Sequence, residues 1–202
     1  MANRRFLALG DSYTIGESVA PAERWPVRLA ALLRQEGTAL DEPQIVATTG
    51  WTTGELVAGI DRAAPRGPFD LVSLLIGVNN QYRGLEPGEY RKQFSALLAR
   101  AIEFAAGQTK RVLVLSIPDW GVTPFARGRD RAAIRSAIDQ FNAINAEAAR
   151  QAGAQYVDVT SVSRQAAVDG ALIAADGLHP SGKMYAEWAR LALPAAREGL
   201  NS

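Results

Sequence analysis

The chain has 202 residues, 48% hydrophobic and 21% charged, an ordinary balance for a globular protein and enough length for one domain with a sizeable core. Its net charge of +1 gives no electrostatic case for nucleic acid or an anionic membrane as the main partner. The absence of cysteine excludes disulfides, thiol catalysis and thiolate metal sites.

Residues 4–9 end in Phe6-Leu7-Ala8-Leu9 and read as a short buried strand. The run stops at Gly10-Asp11, too soon for a signal peptide. No other run approaches the ~18 apolar residues of a membrane span, so a cytoplasmic protein is expected. Residues 24–37 carry Trp25, Val27, Leu29, Leu32 and Leu33 at mostly helical spacing, with Gly37 placed to stop the helix. Residues 44–48 form the second strand, followed by Thr49-Gly50-Trp51. Thr52 and Thr53 are N-cap candidates for a helix over residues 55–64.

Residues 65–68 are a turn, and residues 70–76 are a third strand, almost wholly apolar as a central parallel strand should be. After the loop Gly77-Val78-Asn79-Asn80, Pro87 opens a helix running to about Ala106. Residues 111–117 are the fourth strand and lead into a loop containing Trp120 and Phe125. A helix over residues 131–151 ends before Gly153, and residues 155–159 are the fifth strand. A short helix over residues 163–168, the loop around His179 and a last helix over residues 181–197 follow. Pro194 marks a place for that helix to stop or kink.

Strands alternating with helices predict an α/β fold, a parallel five-stranded sheet in three α/β/α layers with right-handed crossovers. No linker, repeat or low-complexity stretch interrupts residues 1–202, which read as a single domain.

In such a sheet the carboxyl ends of the strands share one edge, and ligands bind in the crevice there. Ser12, Gly50, Asn79 and the Trp120 loop all follow strand ends, and His179 follows the last strand. A serine hydroxyl is a weak nucleophile until a base takes its proton, and His179 is the only histidine in the chain. Each residue also has a plainer role open to it. Ser12 can cap the next helix, His179 can be structural, and Gly50, Asn79 and Asn80 suit turns. Trp51, Tyr82, Arg83, Trp120 and Phe125 sit on loops at the site edge as substrate contacts or as packing. Asp11 reads as a structural hydrogen-bond partner.

Gly10-Asp11-Ser12 resembles the first block of the GDSL/SGNH hydrolase family. Gly50, in Thr49-Gly50-Trp51-Thr52-Thr53-Gly54, is similar to its second block, Gly77-Val78-Asn79-Asn80 to its third, and Asp176-Gly177-Leu178-His179 to its last. The blocks occur in the family's order. Tyr13 stands where the name motif has leucine, and Asn80 where the third block usually has aspartate. The resemblance implies a flavodoxin-like sheet and hydrolysis of a small-molecule carboxylic ester through an acyl-serine, with no metal and no cofactor. It implies a catalytic set of Ser12, His179 and Asp176. The oxyanion donors would be the Ser12 and Gly50 backbone N–H groups and the Asn79 amide. Trp51, Asn80, Tyr82, Trp120 and Phe125 are the candidate substrate contacts.

Pre-placed donors and a carboxylate-held imidazole are what such chemistry needs. Gly-x-Ser-x-Gly is absent around Ser12, so the nucleophile elbow of α/β-hydrolases is not expected. Short acyl esters, acetylated sugars, lysophospholipids and thioesters all remain open as substrates. The rival is a non-catalytic module that binds flavin mononucleotide or phosphate at the hydroxyl-rich stretch 12–18. Asp11 and Glu17 would repel a phosphate there.

Overall fold

The computed structural model describes residues 3–202. Its five strands are β1 (Phe6–Gly10), β2 (Gln44–Ala47), β3 (Leu71–Leu75), β4 (Val112–Leu115) and β5 (Gln155–Val157). They pair in parallel in the order β2-β1-β3-β4-β5. This is the flavodoxin-like order, with the chain switching direction between β1 and β3. In register, Leu9 lies between Val46 and Leu74. Every residue of β1, β3 and β4 is buried, which is why these strands read as unbroken apolar runs.

The helices are α1 (Ser12–Ile15), α2 (Trp25–Gln35), α3 (Thr53–Ala63), α4 (Val78–Tyr82), α5 (Pro87–Phe104), α6 (Arg131–Ala152), α7 (Thr160–Ser163) and α8 (Gly182–Leu200). α2 packs with α8, while α5 packs with both α3 and α6, so helices cover both faces of the sheet. The buried stripe of α8 is Met184, Tyr185, Trp188, Ala189, Ala192 and Ala196. Local chemistry sets the helix ends. Thr52 and Glu55 form a reciprocal capping box on α3, and Asp130 caps α6, which closes at the left-handed Gly153.

The structure departs from the sequence reading in three places. The fourth and fifth strands are shorter than expected. Residues 12–15 and 78–82 are one-turn helices rather than loops. The last helix does not stop at Pro194 but contains it and continues to Leu200.

Candidate active site

β1 ends at Gly10, where a Cβ would collide with the Thr14 side chain and the Leu75 carbonyl. Glycine lets the chain turn tightly here beside the end of β3. The cap of α1 is Asp11, whose Oδ1 accepts from Tyr13 N at 3.0 Å. Ser12 is therefore not the cap. It is the first residue of the helix, where the backbone N–H has no helical acceptor. Neither the Ser12 N–H nor the Gly50 N–H donates to a backbone acceptor among the described residues.

The loop carrying His179 is held by Asp176. Its Oδ1 accepts from the backbone N–H groups of Leu178 and His179, both at 2.9 Å. Its Oδ2 lies 2.6 Å from His179 Nδ1 and accepts from Ser18 Oγ at 2.7 Å. Partial burial works against the charge on Asp176. The hydrogen bonds from Ser18, His179 and the two amides outweigh it and hold the carboxyl well below the usual carboxylate range. An ionised Asp176 accepts a hydrogen bond from the Nδ1–H of His179, which leaves Nε2 as the acceptor. The imidazole packs edge-on against Tyr13, with centroids 5.8 Å apart.

Gly50 follows β2 with φ of +85°, a conformation that favours glycine. Its carbonyl accepts from Arg83 Nη2 at 2.7 Å, and Arg83 also pairs with Glu55 at 3.3 Å, so the turn is braced from α3 and α4. Asn79 sits in the first turn of α4. Its Nδ2 donates to the Trp51 carbonyl at 2.9 Å, and the amide's second N–H is not used there.

Ser12, Gly50, Asn79 and His179 all line one cavity of about 180 Å³. No hydrogen bond joins Ser12 Oγ to His179. Tyr82, Trp120 and Phe125 wall the cavity, with ring centroids 5.4 to 6.4 Å apart. Trp120 is buried and its Nε1 donates to Gln81 Oε1 at 2.9 Å. Tyr82 and Phe125 are 45% and 41% exposed, so they form the mouth.

Two expected substrate contacts lie elsewhere. Trp51 packs on Gly59 of α3 and lines a groove outside β2, because the ring turns away from the edge that Gly50 faces. Asn80 is 2% exposed and bound to Thr53: Oδ1 accepts from Thr53 N at 3.0 Å and Nδ2 donates to Thr53 Oγ1 at 2.7 Å. Consecutive residues on a helix point about 100° apart, so the one-turn α4 sends Asn79 to the cavity and Asn80 to the start of α3.

Other contributors escaped the sequence reading. Ser18 reaches Asp176 across 158 positions of sequence, from a left-handed conformation at φ +63°. No spacing signals such a pair; its only trace is a serine in a hydroxyl-rich stretch. Phe125 N donates to the Gly177 carbonyl at 3.0 Å, which ties the aromatic wall to the His179 loop.

No curated protein matches the chain by sequence. Among solved structures it is similar to TesA, with 21% identity, coverage of 98% of this chain and 100% of that one, and a TM-score of 0.75. It is also similar to Axe2, an acetylxylan esterase from Geobacillus stearothermophilus, at 19% identity, coverage of 96% and 94%, and a TM-score of 0.73. A third is the esterase EstA from Pseudoalteromonas sp., at 16% identity, coverage of 99% and 100%, and a TM-score of 0.69. At these identities the likeness concerns the fold. The family model of the GDSL-like Lipase/Acylhydrolase family matches residues 8–187, from within β1 past the His179 loop into α8. The chain therefore belongs to the GDSL-like lipase/acylhydrolase family and is an SGNH-type serine ester hydrolase.

Proposed function

We propose that the protein cleaves short-chain carboxylic esters through an acyl-serine intermediate on Ser12. His179 Nε2 takes the Ser12 Oγ proton as the hydroxyl attacks the ester carbonyl, then returns it to the leaving alcohol. Asp176 keeps the imidazole in the tautomer that can do this and stabilises the imidazolium that forms. The Ser12 N–H, the Gly50 N–H and the Asn79 amide donate to the oxyanion of the tetrahedral intermediate. Water then attacks the acyl-enzyme by the same route in reverse.

The observation that carries this reading is the cavity itself. Ser12, the carboxylate-held imidazole of His179, Gly50 and Asn79 all line one space of about 180 Å³. That volume is small beside the roughly 300–1,000 Å³ of drug-sized ligand pockets, which favours a short acyl group over a long lipid chain. Thioesters and acetylated sugars present the same carbonyl chemistry and stay within the proposal. Membership of an acylhydrolase family argues against the flavin- or phosphate-binding alternative.

The test is a series of p-nitrophenyl esters of rising acyl length, run on the wild type and on Ser12→Ala. Short esters should give the highest kcat/KM, and Ser12→Ala should lose about 10⁴–10⁶ in kcat. Near-full activity of the Ser12→Ala protein would end the proposal.

A further inference from the structure

Arg129 lies in the turn before α6. Its guanidinium carbon stands 5.1 Å from the Phe125 ring centroid, 5.4 Å from that of Tyr82 and 5.5 Å from that of Trp120. These are the three rings that wall the cavity shared by Ser12 and His179. A cation over aromatic faces is held by the ring quadrupoles. Here that attraction fixes a positive charge at the mouth of the site.

Arg129 Nη2 donates to the Tyr82 hydroxyl at 3.2 Å, and among the described residues Arg129 forms no ion pair with a carboxylate. Neighbouring Asp130 turns to α6 instead, where its Oδ1 accepts from Ala133 N at 3.0 Å as the cap. Arg127, Arg131 and Arg135, in the same exposed stretch, also lack a carboxylate partner; Arg131 reaches only the Thr123 carbonyl, at 3.5 Å. The far side of the cavity has the opposite sign: Glu17 accepts from Thr49, a lining residue.

Of the Arg129 donors only Nη2 is engaged, with the Tyr82 hydroxyl. Arginine carries five N–H donors in a planar fork that matches a carboxylate or phosphate. A cavity of about 180 Å³ encloses a short acyl group, so the rest of an ester must project past the aromatic mouth. We propose that Arg129 is a specificity-determining residue that selects esters whose projecting part carries an oxyanion, a carboxylate or a phosphate. The proposal rests on the ester-hydrolysis reading above and names the substrate class of that site.

The test compares 4-acetoxybenzoate with its methyl ester, which offer the same acetyl group and differ in charge. The readout is the ratio of kcat/KM for the anionic over the neutral ester. Arg129→Gln should lower that ratio roughly 2–5-fold, mainly through KM, because one charge-assisted pair at an exposed rim is lost. Arg129→Lys keeps the charge without the fork and should fall between. Raising the salt should shrink the wild-type ratio toward that of Arg129→Gln. 4-Acetoxyphenyl phosphate in place of the benzoate tells a phosphate preference from a carboxylate one.

A binding arm runs without turnover. Titration calorimetry on Ser12→Ala protein should show 4-hydroxybenzoate binding weakened several-fold by Arg129→Gln, and methyl 4-hydroxybenzoate weakened less. If Arg129→Gln slows both esters equally and weakens both ligands equally, Arg129 is a latch on the aromatic loop and the proposal is wrong. Failure of the ester reading looks different: the wild type turns over neither ester, while the binding arm still reports on Arg129.

Discussion

At the scale of single residues, two carboxylates of the site have been moved in opposite directions. Asp11 is fully buried and only one of its oxygens finds a partner, so burial pushes its pKa up to about 7 against the pull of the Tyr13 amide. A folded pKa above the unfolded one means that folding takes up a proton. The associated stability is complete below the ordinary value of 3.8 and is lost as pH rises through about 7. Asp176 has the reverse sign: its contribution is present above the ordinary value of 3.8 and is lost only as pH falls toward its depressed folded pKa. Asp11→Asn keeps a capping oxygen without the charge. Its melting temperature, relative to the wild type, should rise steadily between pH 4.5 and 7.5; a constant difference across that range would show that Asp11 does not titrate there.

Ser18 allows a second test at this scale. It adds a hydrogen bond to Asp176 but holds a left-handed backbone, at φ +63°, that costs a non-glycine residue about 1–2 kcal/mol. Ser18→Ala and Ser18→Gly both delete the bond. Both should lower kcat by a similar factor, roughly 2–10-fold, as one exposed hydrogen bond to the ionised Asp176 is lost. Only Ser18→Gly relieves the backbone, so it should melt above Ser18→Ala. Equal kcat in the wild type and both variants would remove Ser18 from the positioning of Asp176.

At the scale of elements, one-turn helices decide which side chains meet. α4 gives Asn79 to the cavity and Asn80 to Thr53, and the two should fail in different ways. Asn79→Ala should lose about 10²–10³ in kcat with little change in melting temperature, as for other donors to an oxyanion. Asn80→Ala leaves buried groups at the start of α3 without partners and should cost about 1–3 kcal/mol of stability. A folded, fully active Asn79→Ala protein would remove this side chain from the oxyanion site.

The Trp120 loop is set by a different device. Buried Asp119 accepts from Gly121 N and pairs with Arg164 at 2.9 Å, while Asp119 N donates to Ser163 Oγ. The loop that carries the aromatic wall is therefore fastened to α7 and to the segment that follows it. None of this is visible as periodicity. α1 and α4 are too short to show a helical repeat, and the partners of Asn80 and Ser18 come from distant parts of the chain. The strands were legible for the opposite reason: β1, β3 and β4 are buried on both faces, and their sequences carry little but apolar residues. The helix expected over residues 181–197 runs on to Leu200 with Pro194 inside it, because the local rule for ending helices is outweighed here by the apolar face that α8 lays on the sheet.

At the scale of the whole molecule, the parallel sheet does the gathering. Ser12, Gly50, Asn79 and the Trp120 loop follow the ends of β1, β2, β3 and β4, and the sheet order puts β3 at its centre with β1 and β4 on either side. That much follows from strand order and the common edge, which is why the site could be located in the sequence by its odd residues at strand ends. The direction each side chain takes from that edge could not. Among the described residues no helix is long and apolar enough to cross a membrane. The claim on which the rest depends is that Ser12 becomes acylated with His179 as its base. It is tested most directly by treating the protein with a fluorophosphonate and locating the adduct by peptide mass mapping. The wild type should carry one adduct, on Ser12, formed far more slowly in His179→Ala and absent in Ser12→Ala; an adduct on another residue, or one that forms in Ser12→Ala at the wild-type rate, would contradict it.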